Sequence, residues 1–223
     1  MTIGDTVREF LQSRGDLEAL LEHEVKGLLS ALGIAAPRGI FVPCGESAPV
    51  PVGLSFPLAA KVESSRISSK SDVGGVMLGI ADDDELRRAV SALSGLEHAE
   101  GVLVEEMAPP GFEVIVGGAI DTSFGPVVMF GLGGLFVELF RDVSFALAPV
   151  DRDQALWLMG EIRGAKALRG FRGRPPLDMD AMADIIVTVS EVIATGLFRT
   201  IDLNPVSLYP KGATVLDAKM SRF

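Results

Sequence analysis

The chain has a single cysteine, Cys44, so no disulfide can form within it, and that usage fits a reducing cytoplasmic setting. Cys44 sits in the turn-like Val42-Pro43-Cys44-Gly45-Glu46 with no matched base nearby, which reads as an incidental thiol. Histidine is almost as scarce: His23 falls among the charges of a predicted helix and reads as solvated, and His98 lies in a loop. No apolar run is long enough to span a bilayer. The first residues, Met1-Thr2-Ile3-Gly4-Asp5, lack the basic and apolar regions of a secretory signal. Excess basic charge is also missing. A net charge of −10 argues against general binding to nucleic acid or anionic membranes. It leaves room for a phosphate ligand, which needs only a local basic pocket. Sequence repeats and low-complexity tracts are absent.

What is present is apolar and glycine-rich. Of the 223 residues, 48% are hydrophobic and 25 are glycine, enough for a full core in one domain or two small lobes. Residues 1–15 give weak signals. Leu17, Leu20, Leu21, Val25, Leu28, Leu29 and Leu32 repeat at helical spacing, and Gly33 is placed to end the helix. Residues 43–57 should be irregular. Asp82 to Glu85 should open a second helix, with Leu86, Val90 and Leu93 on one face. Residues 101–107 read as a strand ending in acids. Ala108-Pro109-Pro110-Gly111 breaks the chain, and strands follow over 112–120, 127–130 and 135–140. Asp151 and Gln154 form a capping box for a helix through Trp157, itself read as a packing residue. Asp178 opens the longest helix, with Met179, Met182, Ile185, Ile186, Val189 and Ile193 as its apolar face and Gly196 at its end.

Between two predicted strands, Leu58–Val62 and Val76–Ile80, lies Ser69-Lys70-Ser71-Asp72-Val73-Gly74-Gly75. Paired glycines let backbone approach a ligand, Lys70 adds a point charge, and the serines add hydroxyl donors. Such a loop is either a flap over a nucleotide or an ordinary Gly-Gly hairpin with a solvated lysine. It is not the G-x-x-x-x-G-K-[ST] phosphate loop.

The C-terminal strands, Thr200–Leu208 and Ala213–Met220, are joined by Tyr209-Pro210-Lys211-Gly212. If Tyr209 pairs with Gly212, Asn204 stands opposite Asp217 and Asp202 opposite Lys219, all on one face. Directly opposed Cβ atoms are about 4.5–5.5 Å apart. The carboxamide and carboxylate then offer two oxygens to Mg²⁺, which commonly takes few protein ligands. A polar surface pair is the alternative.

Four stretches together resemble the ATP-grasp β subunit of ADP-forming acyl-CoA synthetases: K-S-D-V-G-G-V from Lys70, F-G-P-V-V-M-F-G-L-G-G from Phe124, G-F-R-G-R-P-P from Gly170 and D-L-N-P-V from Asp202. The resemblance implies an α+β ATP-grasp fold with a nucleotide cleft between two α/β lobes. Those lobes would be 17–107 and 112–223, after an N-terminal extension at 1–16. It implies ATP or ADP with Mg²⁺ as cofactors and a CoA-binding α subunit as partner in a hetero-oligomer. The reaction is acyl-CoA, ADP and phosphate to acid, CoA and ATP. By position, Lys61 corresponds to a lysine on nucleotide phosphates, and Lys70, Gly74 and Gly75 to the flap. Glu105, Glu106 and Met107 correspond to the hinge at adenine, Glu113 to an acid nearby, and Asn204 with Asp217 to the Mg²⁺ ligands. Two positions depart. Ser69 stands where relatives carry the phosphate-bearing histidine, and Ala146 where they carry an arginine. The chain is therefore expected to be either a catalytic β subunit or a relay-deficient nucleotide-binding regulatory or scaffolding subunit. A stand-alone ligase is a third reading, opposed by the lack of an acceptor domain.

Overall fold

The computed structural model describes residues 2–14, 20–46, 53–67, 69–134, 142–170 and 173–223. Leu17, the expected strand over 135–140, residues 47–52 of the irregular segment and Phe171-Arg172 of the G-F-R-G-R-P-P stretch lie outside them. The chain packs as two units. One comprises 1–20, 25–36 and 110–223; the other comprises 21–24 and 37–109. Residues 2–14 of the expected extension and 25–36 of the expected first lobe thus pack with the C-terminal half.

The smaller unit is a four-stranded sheet among the described residues, in the order β1-β4-β2-β3. Its strands are β1 (Gly39–Pro43), β2 (Leu58–Glu63), β3 (Val76–Ile80) and β4 (Gly101–Glu106). Helix α3 (Asp83–Ser94) starts at Asp82, whose side chain accepts from the Glu85 N–H. The acidic run is therefore a helix N-terminus, where carboxylates complement the dipole. Leu86, Val90 and Leu93 of α3 pack on Leu58, Ala60, Val102 and Val104. Alternation sends Lys61, Glu63, Leu103, Glu105 and Phe41 to the opposite face.

The larger unit holds helices α1 (Ile3–Arg14) and most of α2 (Glu22–Ala31). Residues 3–14, which give weak signals in the sequence, form a full helix: Val7 and Leu11 are buried and join the main core. Two apolar anchors in a short, polar segment are too few to show as periodicity. The sheet runs β10-β8-β5-β6-β7, with β9 also on β8. These strands are β5 (Phe112–Asp121), β6 (Gly125–Leu132), β7 (Val143–Leu147), β8 (Thr200–Leu208), β9 (Ala213–Val215) and β10 (Ala218–Ser221). Helices α4 (Arg152–Glu161), α5 (Ala165–Leu168) and α6 (Met179–Ala194) complete it.

Helix α6 buries Met182, Ile185, Ile186, Val189 and Ile193, each contributing roughly 1.5–3 kcal/mol. At Gly118 of β5 an added Cβ would lie 3.2 Å from Ile193, so glycine permits this close helix–sheet approach. The Asp151–Gln154 capping box on α4 forms as expected. Trp157 does not pack as expected: it is 56% exposed, and α4 buries Ala155, Leu158 and Met159 instead.

Candidate functional site

In the smaller unit, the face of the sheet away from α3 carries a buried cluster of charge. Lys61 Nζ lies 2.9 Å from Glu22 Oε1 and 2.8 Å from Glu105 Oε2. Lys70 Nζ reaches the other Glu22 oxygen. All four side chains are nearly inaccessible, with Lys61 the most open at 11%. Burial pulls the Lys61 ammonium down, but the Glu22 and Glu105 charges beside it hold it above the ordinary lysine value of 10.5. Strand β2 supplies Lys61, the loop after it supplies Lys70, and the first residue of α2 supplies Glu22. The solvated-lysine reading of the loop fails, because Lys70 is buried on a carboxylate.

The loop glycines act in a way the sequence does not display. Gly75 donates to the Lys70 carbonyl at 2.7 Å, and its own carbonyl accepts from Val62 at 2.8 Å. An added Cβ at Gly75 would stand 2.5 Å from Val62 Cγ1, so glycine here fastens the loop to β2. Gly74 is exposed at φ +66° and donates to Ser71. Both N–H groups are therefore engaged inside the loop. Ser69 is half-buried, and its hydroxyl oxygen accepts from Asp72 N–H at 3.4 Å. At the hinge, Glu106 N–H donates to Arg38, Met107 N–H donates to Pro57, and Glu106 Oε1 accepts from Ser55.

His23 is not solvated as expected. Its backbone N–H donates to Glu63 Oε1 at 2.6 Å, its Nδ1 meets Glu63 Oε2, and its ring stacks on Phe41 at 4.2 Å. Glu22, Glu63 and His23 were missed as site residues because helical spacing places two of them among ordinary surface charges. The partner strand that buries them cannot be read from the helix.

In the larger unit the register predicted for the last strands holds. Lys219 pairs with Asp202 and Ser221 with Thr200 on β10, and Ser207 pairs with Thr214 on β9. The predicted single strand over 213–220 is interrupted at 216–217, and there Asn204 N–H donates to the Asp217 carbonyl at 3.1 Å. The buried Lys26 donates to the Leu216 carbonyl at 2.8 Å and anchors that interruption. Asp202 and Asn204 are exposed on the face away from the helices, since the alternating Ile201 and Leu203 are buried in the core. The Asp202 carboxyl is held above the usual aspartate range by surrounding protein, with Lys219 opposing and Asp217 adding to the shift.

This face forms a hollow of about 520 Å³ floored by Gly117 and walled by Met129, Phe145, Asp202 and Asn204. That size suits a small-molecule ligand. A larger hollow of about 600 Å³, lined by Phe112, Leu177, Leu208 and Tyr209, contains none of the expected ligands. Among the described residues no cluster of three or more His, Cys, Asp or Glu could hold a metal. Asn204 lines this hollow, and a carboxamide with a carboxylate is a donor set that suits a hard cation keeping most of its shell as water and phosphate. Glu113 is exposed. Its carbonyl accepts from Gly133 at 2.8 Å, and its carboxylate lies 2.9 Å from where a Gly134 Cβ would be. Ala146 pairs with the buried Val128 and packs against the helix-covered core, so its side chain does not share the face of Asp202 and Asn204.

No helix among the described residues is long and apolar enough to cross a membrane. A family profile for the ATP-grasp domain matches residues 12–221. Acetate–CoA ligase (ADP-forming) II of Archaeoglobus fulgidus is 42% identical over 202 residues, covering 90% of this chain and 30% of that protein. The chain therefore spans under a third of that relative. The β subunit of acetate–CoA ligase (ADP-forming) I of Pyrococcus furiosus is 38% identical over 225 residues, 96% of each chain. The structure of dinucleotide-forming acetyl-coenzyme A synthetase 1 from Ca. Korarchaeum cryptofilum, in complex with coenzyme A and Ca-AMPCP, superposes with a TM-score of 0.88. It is 36% identical, over 100% of both chains. These relatives are ligases, which favours the catalytic reading over the relay-deficient one. The chain belongs to the ATP-grasp family, among the β subunits of ADP-forming acyl-CoA synthetases.

Proposed function

We propose that the chain is the nucleotide-binding β component of a cytoplasmic ADP-forming acyl-CoA synthetase, working with a CoA-binding α subunit in a hetero-oligomer. The overall reaction converts acyl-CoA, ADP and phosphate to acid, CoA and ATP. The observation that carries this reading is the convergence of Lys61 and Lys70 on Glu22. Two ammonium groups on one carboxylate make a ready anion site, in which phosphate oxygens displace Glu22 and keep both cations compensated.

Lys61 and Lys70 bind phosphate oxygens and offset their charge. Asn204 and Asp217 hold Mg²⁺, which supplies charge neutralisation on the phosphates when bound. Backbone groups of Glu105, Glu106 and Met107 meet the base, and Glu113 lies at the Gly133-Gly134 turn as a further polar contact. Gly74 and Gly75 shape the loop that delivers Lys70. The test is ATP formation from acyl-CoA, phosphate and ADP by the chain mixed with its α partner. Turnover that needs both components supports the reading; no turnover and no Mg-ADP binding overturns it.

A further inference from the structure

We infer that His23 Nε2 is a phosphoryl acceptor for a nucleoside triphosphate held at Lys61 and Lys70, with Glu63 as the residue that positions it. The inference rests on the nucleotide-binding reading above. The loop residue before Lys70 is Ser69. A serine hydroxyl is a weak nucleophile without an adjacent base, and among the described residues Ser69 Oγ contacts only the Asp72 N–H.

His23 has what Ser69 lacks. The buried Glu63 carboxylate takes both the backbone N–H and Nδ1 of His23, and Phe41 stacks on the ring. A carboxylate at Nδ1 selects the tautomer with its proton there and leaves the Nε2 lone pair as the nucleophile. Among the described residues Nε2 has no partner, and the side chain keeps 25% of its exposure. The location is suitable. Glu22, the residue before His23, holds both lysines. Lys61 and Glu63 lie two residues apart on one face of β2, roughly 6.6 Å along the strand. A phosphate on Lys61 is thus one side-chain row from the histidine.

In the step, the Nε2 lone pair forms a bond to the γ-phosphorus. The bond from that phosphorus to the β,γ-bridging oxygen breaks, and ADP leaves with the electron pair. The ring gains positive charge, which the Glu63 carboxylate offsets across the Nδ1 proton. Reversal returns the phosphoryl group to ADP.

The test is to incubate the full chain with Mg-[γ-³²P]ATP and map the label on the wild-type protein. Acid-labile, alkali-stable label on the His23 peptide is expected. Glu63→Gln should slow labelling about 10–100-fold, by analogy with the range for carboxylates that orient metal-bound histidines. The loss should appear in the rate at saturating Mg-ATP rather than in the concentration for half-saturation. Acid-stable label on Ser69, or bound Mg-ATP with no label on histidine, overturns the inference. Failure to bind Mg-ATP at all overturns the nucleotide-binding reading with it.

Discussion

Both sheets of the molecule bury one face under helices, and they differ in what they do with the other. In the smaller unit that face is closed, and its charges, Glu22, Lys61, Lys70 and Glu105, are buried against one another. In the larger unit it is open, and Asp202, Asn204 and Lys219 stand at the surface beside a hollow. The same side-chain types therefore have opposite energetic roles. Buried charges must be compensated, so removing one member exposes the cost of the rest. Surface charges are screened by water and contribute little to folding. Stability should be sensitive at the first face, and ligand binding without folding cost should be the property of the second.

The largest effect should come from Glu22→Ala, which leaves two buried ammonium groups with one carboxylate fewer. A loss of about 3–5 kcal/mol is expected in a denaturant titration. A loss under about 1 kcal/mol would show that the cluster is solvated. The pH dependence follows from Lys61. Its folded-state value is raised, so its contribution is complete below the ordinary value of 10.5 and is lost as pH rises through the higher folded value. Alkaline melting curves should show that loss, with no corresponding change at neutral pH.

Next is Gly75→Ala. The new Cβ would lie 2.5 Å from Val62 Cγ1 and 2.9 Å from the Lys70 carbonyl, and overpacking of that kind costs about 1–3 kcal/mol. A wild-type melting temperature would contradict the fastening role assigned to Gly75.

On the open face, Asp217→Ala should weaken Mg-ADP binding by about 1–3 kcal/mol in calorimetry, the scale of a lost charged contact, while the melting temperature changes little. Equal affinity for wild type and variant would remove Asp217 from the metal site.

The smallest effect belongs to Asp202→Asn. The Asp202 carboxyl is raised in the folded state, so its stabilising contribution exists below the ordinary value of 3.8 and is lost as pH rises through the folded value. The variant should melt slightly higher than wild type at pH 7 and equally at strongly acid pH. A lower melting temperature at pH 7 would show that the Lys219 pairing outweighs the crowding.

The two faces also differ in how much of them can be read from the chain alone. The open face follows from local rules. Period-two alternation and a tight turn place Asp202 opposite Lys219 and bring Asn204 beside Asp217, and the observed register agrees although the second strand is broken at 216–217. The closed face is built from residues 39 and 48 positions apart, Glu22 with Lys61 and Glu22 with Lys70. No local periodicity reports such a contact. Lys61 and Lys70 were visible through their loop and strand, whereas Glu22 and His23 looked like helix surface. Helix α1 escaped for a related reason, since only Val7 and Leu11 of it are buried, with Ile3 and Phe10 packing partly against the same core.

The central claim is that the chain binds a magnesium nucleotide, and calorimetric titration of Mg-ADP into the purified chain tests it most directly. The account predicts one saturable site per chain, weakened by chelation of Mg²⁺ and by Asp217→Ala. A folded protein that releases no heat with Mg-ADP, or that binds it equally with and without the metal, would contradict the account.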